Sequence, residues 1–451
     1  MSVCNDAIAY ARKINVDECE SVLCSKKIIT VRITDSEIAE IKENHEKSLG
    51  VRIIHKKRIA GAQTTTLEPD KIVDRALKSA GSTTERKFWK GLPSDHTRIT
   101  LERVNDPRLW KMTAVDVSDV AQEMINSAKN QKITNISGSL NVVCEEFEIA
   151  NTNGLQKTDV ATYVSGIINS DSDIGTFPVS GIGQASSRML SDFNPTRVGS
   201  DASEMCAGSI NPHTADQEIT SIIFDPLAVG ELLAFVFASN FSLKTYSENR
   251  SCFSEKIGSG VAVEKFDLMD DPHTPNGLGS KSFDDEGVPT SPTHYIRNGI
   301  FEKTYSDLHD AYKEGATSSG NASRLGSPLG RSSDPIPVAI PHNLTIRGNS
   351  KRDDIIKDTK NGILVSRLWY TYPVNPIRGD FSCTARSGIW VVSDGQIKTP
   401  AKPVRIIHNL PRLLQQISSV ADNMRTVLPW ASMPVTAPTI RCEGVTISLI
   451  N

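Results

Sequence analysis

Residues 267–287 read Asp267-Leu-Met-Asp-Asp-Pro-His-Thr-Pro-Asn-Gly-Leu-Gly-Ser-Lys-Ser-Phe-Asp-Asp-Glu-Gly287. Six of these twenty-one side chains are acidic, and proline and glycine interrupt them repeatedly. This pattern is typical of neither a helix nor a regular strand. It predicts either a surface loop, in which Asp side chains bind backbone N–H groups, or a site that needs carboxylates.

The bulk properties of the chain exclude several classes of protein. A length of 451 residues exceeds one ordinary core, so two domains are expected. A net charge of −3 argues against a general nucleic-acid binder, which carries a basic field. Neither an apolar run of ~18 residues, as in a membrane helix, nor a signal peptide is visible. The eight cysteines match no zinc or redox motif. We therefore expect a cytoplasmic protein with free thiols, with no membrane partner and no direct nucleic-acid partner.

Hydrophobic periodicity predicts an α+β fold for the first half. Residues 5–14 and the stretch that follows Pro69 have helical spacing, whereas residues 19–33 and 49–64 alternate as in an antiparallel meander. The polar, turn-prone residues 211–216 indicate a domain boundary. The predicted N-terminal domain, residues 1–215, consists of helices on an antiparallel sheet.

The second half is predicted to be mostly β. Asp225 and Pro226 are a helix-start signature, and apolar spacing continues that helix to about Asn240. Asn298-Gly299 and Asp394-Gly395 are typical of tight hairpin turns. Further predicted segments are strands at 218–224, 261–266, 292–303, 336–346, 362–368, 388–392, 403–407 and 438–449, and a helix at 410–420. The predicted C-terminal domain, residues 216–451, is mostly antiparallel β, barrel-like or sandwich-like, with a few helices.

Several short motifs resemble those of one family. They are Asp270-Asp271-Pro272, Phe283-Asp-Asp-Glu-Gly-Val-Pro289, Ile296-Arg-Asn-Gly-Ile300, Ser319-Gly-Asn-Ala322 and Val374-Asn-Pro376 with Gly379-Asp-Phe-Ser382. In order and spacing the set is similar to the TldD/PmbA family, formerly called modulators of DNA gyrase and now regarded as peptide-processing proteins. A direct role in gyrase control has no support from the acidic pI of about 6.3.

The resemblance implies a metal site in one of two subunit types. TldD-type chains carry His-Glu-x-x-x-His on the helix that opens the C-terminal domain; both His and a downstream Cys bind the metal, and the Glu is the general base. Here Pro226 and Glu231 stand at the His positions and Leu227 at the Glu position. The residues Leu428–Met433 replace the expected Cys-Gly-Lys segment, and Cys442 is expected in the core. The chain is therefore identified with the PmbA/TldE type, which has no metal cofactor of its own.

The resemblance implies a non-catalytic subunit of a metallopeptidase complex that processes peptides and unfolded polypeptides. The expected partners are a TldD-type subunit, which holds the metal, expected to be zinc, and a peptide substrate; alone, the chain is expected to form a homodimer. The candidates for lining the peptide chamber are Asp284, Asp285, Glu286, Gly379 and Asp380, with loop-stabilising turns as the alternative interpretation.

Two other functions stay open from the sequence. One is a homo-oligomer that binds peptides or a partner without a role in hydrolysis. The other is an independent hydrolase with an unrecognised site, such as a metal bound by His273 with Asp284 and Asp285.

Overall fold

The computed structural model describes residues 2–97, 99–215, 219–429 and 433–450. The helices of the first half are α1 (Val3–Lys13), α2 (Pro69–Ala80), α3 (Pro107–Lys111), α4 (Ala114–Ala128) and α5 (Pro195–Gly208). The strands are β1 (Glu18–Thr34), β2 (Glu37–His55), β3 (Arg58–Thr64), β4 (Asn135–Asn151), β5 (Gln156–Ser172) and β6 (Val179–Ser187). Thr113 and Asp116 form a capping box at the start of α4.

The six strands form one antiparallel sheet in the order β3-β2-β1-β4-β5-β6. Its two faces are covered by different parts of the chain. On one face, β1 residues such as Ile29 pack against α4 and α5. On the other face, Val22 packs against Phe283, and Ile28 packs against Leu278. Helices on an antiparallel sheet are confirmed, and the acidic segment 267–287 supplies part of the cover on the opposite face.

The second half contains short helices and many short strands. The helices are α6 (Pro226–Leu232), α7 (Leu243–Ser247), α8 (Leu308–Lys313), α9 (Arg352–Lys357) and α10 (Leu410–Gln415). The strands are β7 (Ser221–Phe224), β8 (Leu268–Asp270), β9 (Thr293–Arg297), β10 (Ile300–Phe301), β11 (Ala322–Ser323), β12 (Val338–Ala339), β13 (Leu344–Ile346), β14 (Asn361–Val365), β15 (Trp369–Asn375), β16 (Asp380–Ala385), β17 (Ile389–Ser393), β18 (Gln396–Pro400), β19 (Val404–Asn409), β20 (Ile417–Val420), β21 (Arg425–Val427), β22 (Val435–Ala437), β23 (Ile440–Glu443) and β24 (Ile447–Leu449).

These strands form open sheets around one large apolar core. The orders are β10-β9-β8-β13-β22-β21, β18-β17-β14-β7-β23-β20, β15-β16-β19-β24 and β11-β12. Most pairs are antiparallel, as predicted, but β13 pairs in parallel with β22, and β14 pairs in parallel with β7. Among the described residues no sheet closes into a barrel.

Four predicted elements of the second half are wrong. The strand predicted at 336–346 is two short strands, Val338–Ala339 and Leu344–Ile346, in different sheets. Residues 261–266 form a turn, in which the Phe266 N–H donates to the Val263 carbonyl, instead of a strand. The helix predicted at 410–420 ends at Gln415, because Ile417–Val420 pairs with Ile440–Glu443 as a strand. The tail contains two strands in two different sheets. The predicted strand start at Glu218 lies outside the described residues.

In the part of the chain that is described, no helix is both long and apolar enough to cross a membrane.

Candidate functional site

The helix α6 begins directly after a fully buried strand. β7 lies between β14 and β23 in its sheet. Asp225 and Pro226 directly follow β7 and begin α6. Asp225 does not cap the helix as the sequence predicts; its carboxylate accepts hydrogen bonds from the Arg352 guanidinium (2.8 and 2.8 Å) and from Thr439 (2.7 Å). The predicted helix to Asn240 is helical throughout but irregular, with a π-helical segment at Leu233–Phe237 and a 3₁₀ turn at Ala238–Phe241.

Two adjoining cavities open at the first turns of α6. The larger, about 500 Å³, is lined by Pro226 and Leu227 together with charged side chains that include Glu204 and Arg425. The smaller, about 230 Å³, is lined by Leu227 and Glu231. Leu227 and Ile182 belong to both linings. Pro226, Leu227 and Glu231, the three positions at which the metal motif is lost, therefore line one region that is large enough to hold part of a ligand.

The side chains at the three motif positions do not fit a catalytic metal ion. The ring of Pro226 and the isobutyl group of Leu227 offer no lone pair. Glu231 is a carboxylate, but the buried guanidinium of Arg367 lines the same cavity and interacts electrostatically with it. A cation in the smaller cavity would meet a positive charge and one carboxylate instead of the three protein ligands of a catalytic zinc site. The larger cavity has carboxylates, but two of them are paired with arginines, Asp225 with Arg352 and Asp201 with Arg425.

Arg367 is a feature that the sequence did not predict. It follows β14, is 5% exposed, and its guanidinium lies 3.6 Å from the centre of the Trp369 ring. Burial lowers the pKa of Arg367 to about 10, and the guanidinium is still cationic at neutral pH. No sequence motif marks this arginine, because its importance depends on the cavity that the fold creates around it.

The acidic triplet of the segment 267–287 is completely buried. Asp284 accepts hydrogen bonds from the backbone N–H groups of Glu286 and Val288 (2.9 Å each) and of Ala322 (3.0 Å). Asp285 binds Lys281 (2.8 Å), so both carboxylates are used inside the protein. These contacts match the alternative interpretation, in which the carboxylates stabilise the turns of the loop.

The same triplet joins the two halves of the chain through buried ion pairs. Glu286 accepts from Arg52 (2.5 Å) on β2, and Asp285 accepts from Arg331 (2.8 Å), which also binds Asp159 (2.7 Å) on β5. Although burial disfavours its charged form, Lys281 and Arg331 hold the pKa of Asp285 well below its usual range. The carboxylates thus hold the loop against the first sheet, and a role of this triplet in lining a peptide chamber stays a prediction.

The remaining predicted site residues lie elsewhere. Gly379 has a φ of +80° in the turn before β16, where a Cβ would come within 2.6 Å of Pro411. Asp380 accepts a hydrogen bond from Asn409 (2.9 Å). Neither residue lines the two cavities at α6, so the structure separates this turn from the degenerate motif. Its role in a chamber also stays a prediction.

One group of possible metal ligands is present among the described residues. Ligand atoms of Asp307, His309 and Asp310 lie within 4.8 Å of one another at the start of α8. The Asp307 carboxylate caps this helix by accepting from the Asp310 N–H (2.8 Å). Burial and the nearby Glu286 carboxylate raise the pKa of Asp307 to about 7. The set of His273 with Asp284 and Asp285 is not brought together in this way; His273 contacts Thr290 (3.1 Å).

Comparison with known proteins assigns the family. Residues 217–449 match the family model described as the PmbA/TldA metallopeptidase C-terminal domain, and residues 19–80 match its domain 1. The chain belongs to the PmbA/TldD metallopeptidase family. Relatives include the metalloprotease PmbA of Escherichia coli O157:H7, 24% identical over 88% of this chain and 86% of that protein. A TldD homolog of Buchnera aphidicola from Acyrthosiphon pisum is 33% identical, but over only 39% of this chain and 35% of that one.

Solved structures of similar proteins share the fold over nearly the whole length. TldE from Thermococcus kodakarensis superimposes with a TM-score of 0.90 at 24% identity and covers 99% of this chain and 100% of that one. A proposed modulator of a DNA gyrase from Thermotoga maritima superimposes with a TM-score of 0.86 at 21% identity, with 99% of each chain covered.

Proposed function

We propose that this chain is the non-catalytic subunit of a two-subunit, TldD/TldE-type metallopeptidase. Its partner is a TldD-type chain that carries His-Glu-x-x-x-His and holds the metal, which we expect to be zinc. The complex is proposed to be cytoplasmic and to cleave peptides and unfolded polypeptides. The two proposed domains, residues 1–215 and 216–451, build one wall of the peptide chamber.

One observation carries this proposal. At the start of α6, Pro226 and Glu231 stand at the positions of the family's two His ligands and Leu227 at that of its general base, and the buried Arg367 adds a positive charge to the cavity that Leu227 and Glu231 line. A catalytic metal needs several ligands with lone pairs and a base that activates water, and of the three motif positions only Glu231 offers a lone pair. The fold of TldE from Thermococcus kodakarensis, shared at a TM-score of 0.90, supports the assignment to the subunit type without the metal.

The test is a mixing experiment with separately purified subunits. This chain, a TldD-type subunit and their mixture are assayed on an unfolded polypeptide, and the mixture is applied to a sizing column. We expect hydrolysis and a joint peak only in the mixture, and a homodimer for this chain alone.

Two results would contradict the proposed function. Hydrolysis by this chain alone would make it an independent hydrolase. Two separate peaks, with peptide binding by this chain alone, would favour the homo-oligomeric binding protein.

A further inference from the structure

Arg367 is a buried cation without a hydrogen-bonded partner in the described part of the chain. Its side chain is 95% removed from solvent, yet its guanidinium makes no hydrogen bond to another described residue. Buried polar groups in folded proteins are nearly always hydrogen-bonded, and an exception calls for an explanation. The cation–π contact with the Trp369 ring, 3.6 Å from its centre, stabilises the guanidinium without a hydrogen bond from its N–H donors.

The surroundings of Arg367 leave its donors for something in the cavity. The neutral polar residues of the lining are Ser139 and Gln184. The side-chain amide of Gln184 is already used at both ends, because it donates to the Leu428 carbonyl (2.6 Å) and accepts from the Leu428 N–H (3.1 Å). Much of the remaining wall is apolar and includes Ile167, Ile182 and Leu227. A planar cation at the end of an apolar cavity is suited to a carboxylate attached to an apolar group, because the two N–H groups of a guanidinium match two carboxylate oxygens.

We propose that this cavity binds the C-terminal carboxylate of a peptide through Arg367, with the last side chain against the apolar wall. A volume of about 230 Å³ is smaller than the ~300–1,000 Å³ of cavities for drug-sized ligands, so it accepts one terminal residue. The larger cavity shares Leu227 and Ile182 with it and can hold the preceding residues. The chain would then retain a ligand-binding function at the very place where it has lost the metal ligands.

The assignment of the ligand as a peptide rests on the proposed function, whereas carboxylate binding by Arg367 does not. Two carboxylates of the chain, Glu231 in the same cavity and Asp171, interact electrostatically with Arg367, so the carboxylate of the ligand enters a site whose cation already has acidic neighbours. We therefore expect modest affinity for the carboxylate and a clear preference against ligands with a second negative charge.

The experiment is calorimetric titration of the purified full chain with N-acetyl-Ala-Ala-Leu as the free acid and as the C-terminal amide. We expect the amide to bind at least about ten-fold more weakly, as for loss of a charge-assisted hydrogen-bonded pair. Arg367→Met should abolish this discrimination, and Arg367→Lys should retain only part of it, because a lysine cannot bind both oxygens at once. The exposed Arg386→Met is the matched control and should retain it fully.

Three outcomes would overturn the proposal. Equal affinity for acid and amide, or discrimination that survives in Arg367→Met, would remove Arg367 as the receptor. Tight binding of N-acetyl-Ala-Glu-Ala-amide would assign the site to acidic side chains instead of a chain terminus. Stronger competition by inorganic phosphate than by the peptide acid would make it a general oxyanion site. Thermal melts of each variant show that it is folded, and since no partner subunit is present, failure here is distinct from failure of the mixing experiment.

Discussion

At the scale of single residues, burial changes what a charged side chain does in this protein. Asp285 is held ionised by Lys281 and Arg331, whereas Asp307, beside Glu286, has a pKa raised to about 7 by burial. Asp285 lies in the acidic segment 267–287, and Asp307 caps α8. Their different roles follow from the neighbours that the fold places around them.

Asp307 should make the protein less stable as the pH rises. Because its folded-state pKa of about 7 exceeds the ordinary value of 3.8, the folded state keeps a proton that the unfolded state releases between these values. Stability is therefore lost as the pH rises through this window. Asp307→Asn keeps the cap on α8 but cannot ionise, so we expect it to be about 2–4 kcal/mol more stable than the parent at pH 8 and equal to it near pH 4. Urea unfolding of both proteins across this range measures the difference, and a constant difference would contradict the assignment.

The residues of the candidate site differ in how far the sequence could predict them. Pro226, Leu227 and Glu231 were found because a motif fixes their positions on one helix, and the structure places Leu227 and Glu231 in one cavity. Arg367 has no motif and lies between β14 and β15, so its place in the same cavity as Glu231 depends on how the fold brings this segment to α6. The three buried acids were singled out correctly as unusual, but sequence alone did not decide between a chamber and an ionic contact.

At the scale of elements, the sequence predicted correctly those turns and helices that depend on interactions between residues close in the chain. The hairpin turns at Asn298-Gly299 and Asp394-Gly395 are confirmed, because residues with positive φ fix such turns directly. Ile417–Val420 has helical spacing but pairs with β23, so a partner distant in sequence overrides the local preference. Strand β6 is not among the elements predicted from the sequence. Its Gly181 and Gly183 are needed because α5 approaches so closely that a Cβ at either position would contact the backbone of α5.

The helix α6 should not become a catalytic element when its motif is restored alone. We expect the triple variant Pro226→His, Leu227→Glu and Glu231→His to show no zinc-dependent cleavage of an unfolded polypeptide. The expected third ligand is absent from the sequence, and Arg367 still places a positive charge in the cavity. A TldD-type subunit assayed in parallel is the positive control. Zinc-dependent turnover by the triple variant, lost with a chelator, would show that these substitutions suffice.

At the scale of the whole molecule, buried ion pairs connect the first sheet to the loops of the second half. Arg52 and Glu20 belong to the sheet, whereas Glu286 and Arg324 belong to the loops, and the four form a chain of buried contacts. Removing one member of such a network leaves its partners charged and unpaired in the interior, which costs more than the contact itself contributes.

Asp285→Asn should therefore destabilise the protein strongly. It leaves Lys281 and Arg331 without their shared carboxylate, and we expect the free energy of unfolding to fall by about 3–5 kcal/mol. The exposed Asp353→Asn on α9 is the matched control and should change it by less than about 0.5 kcal/mol. Equal effects in denaturant unfolding would mean that the buried network contributes little to holding the halves together.

The most direct test of the central claim is the zinc content of this chain alone. The purified protein is incubated with excess zinc, passed through a sizing column and measured by elemental analysis, with a TldD-type subunit treated in the same way. We expect far less than one equivalent of zinc in this chain and about one in the TldD-type subunit, because α6 offers one carboxylate and a neighbouring guanidinium. Retention of one equivalent by this chain, lost on Glu231→Gln, would contradict the account.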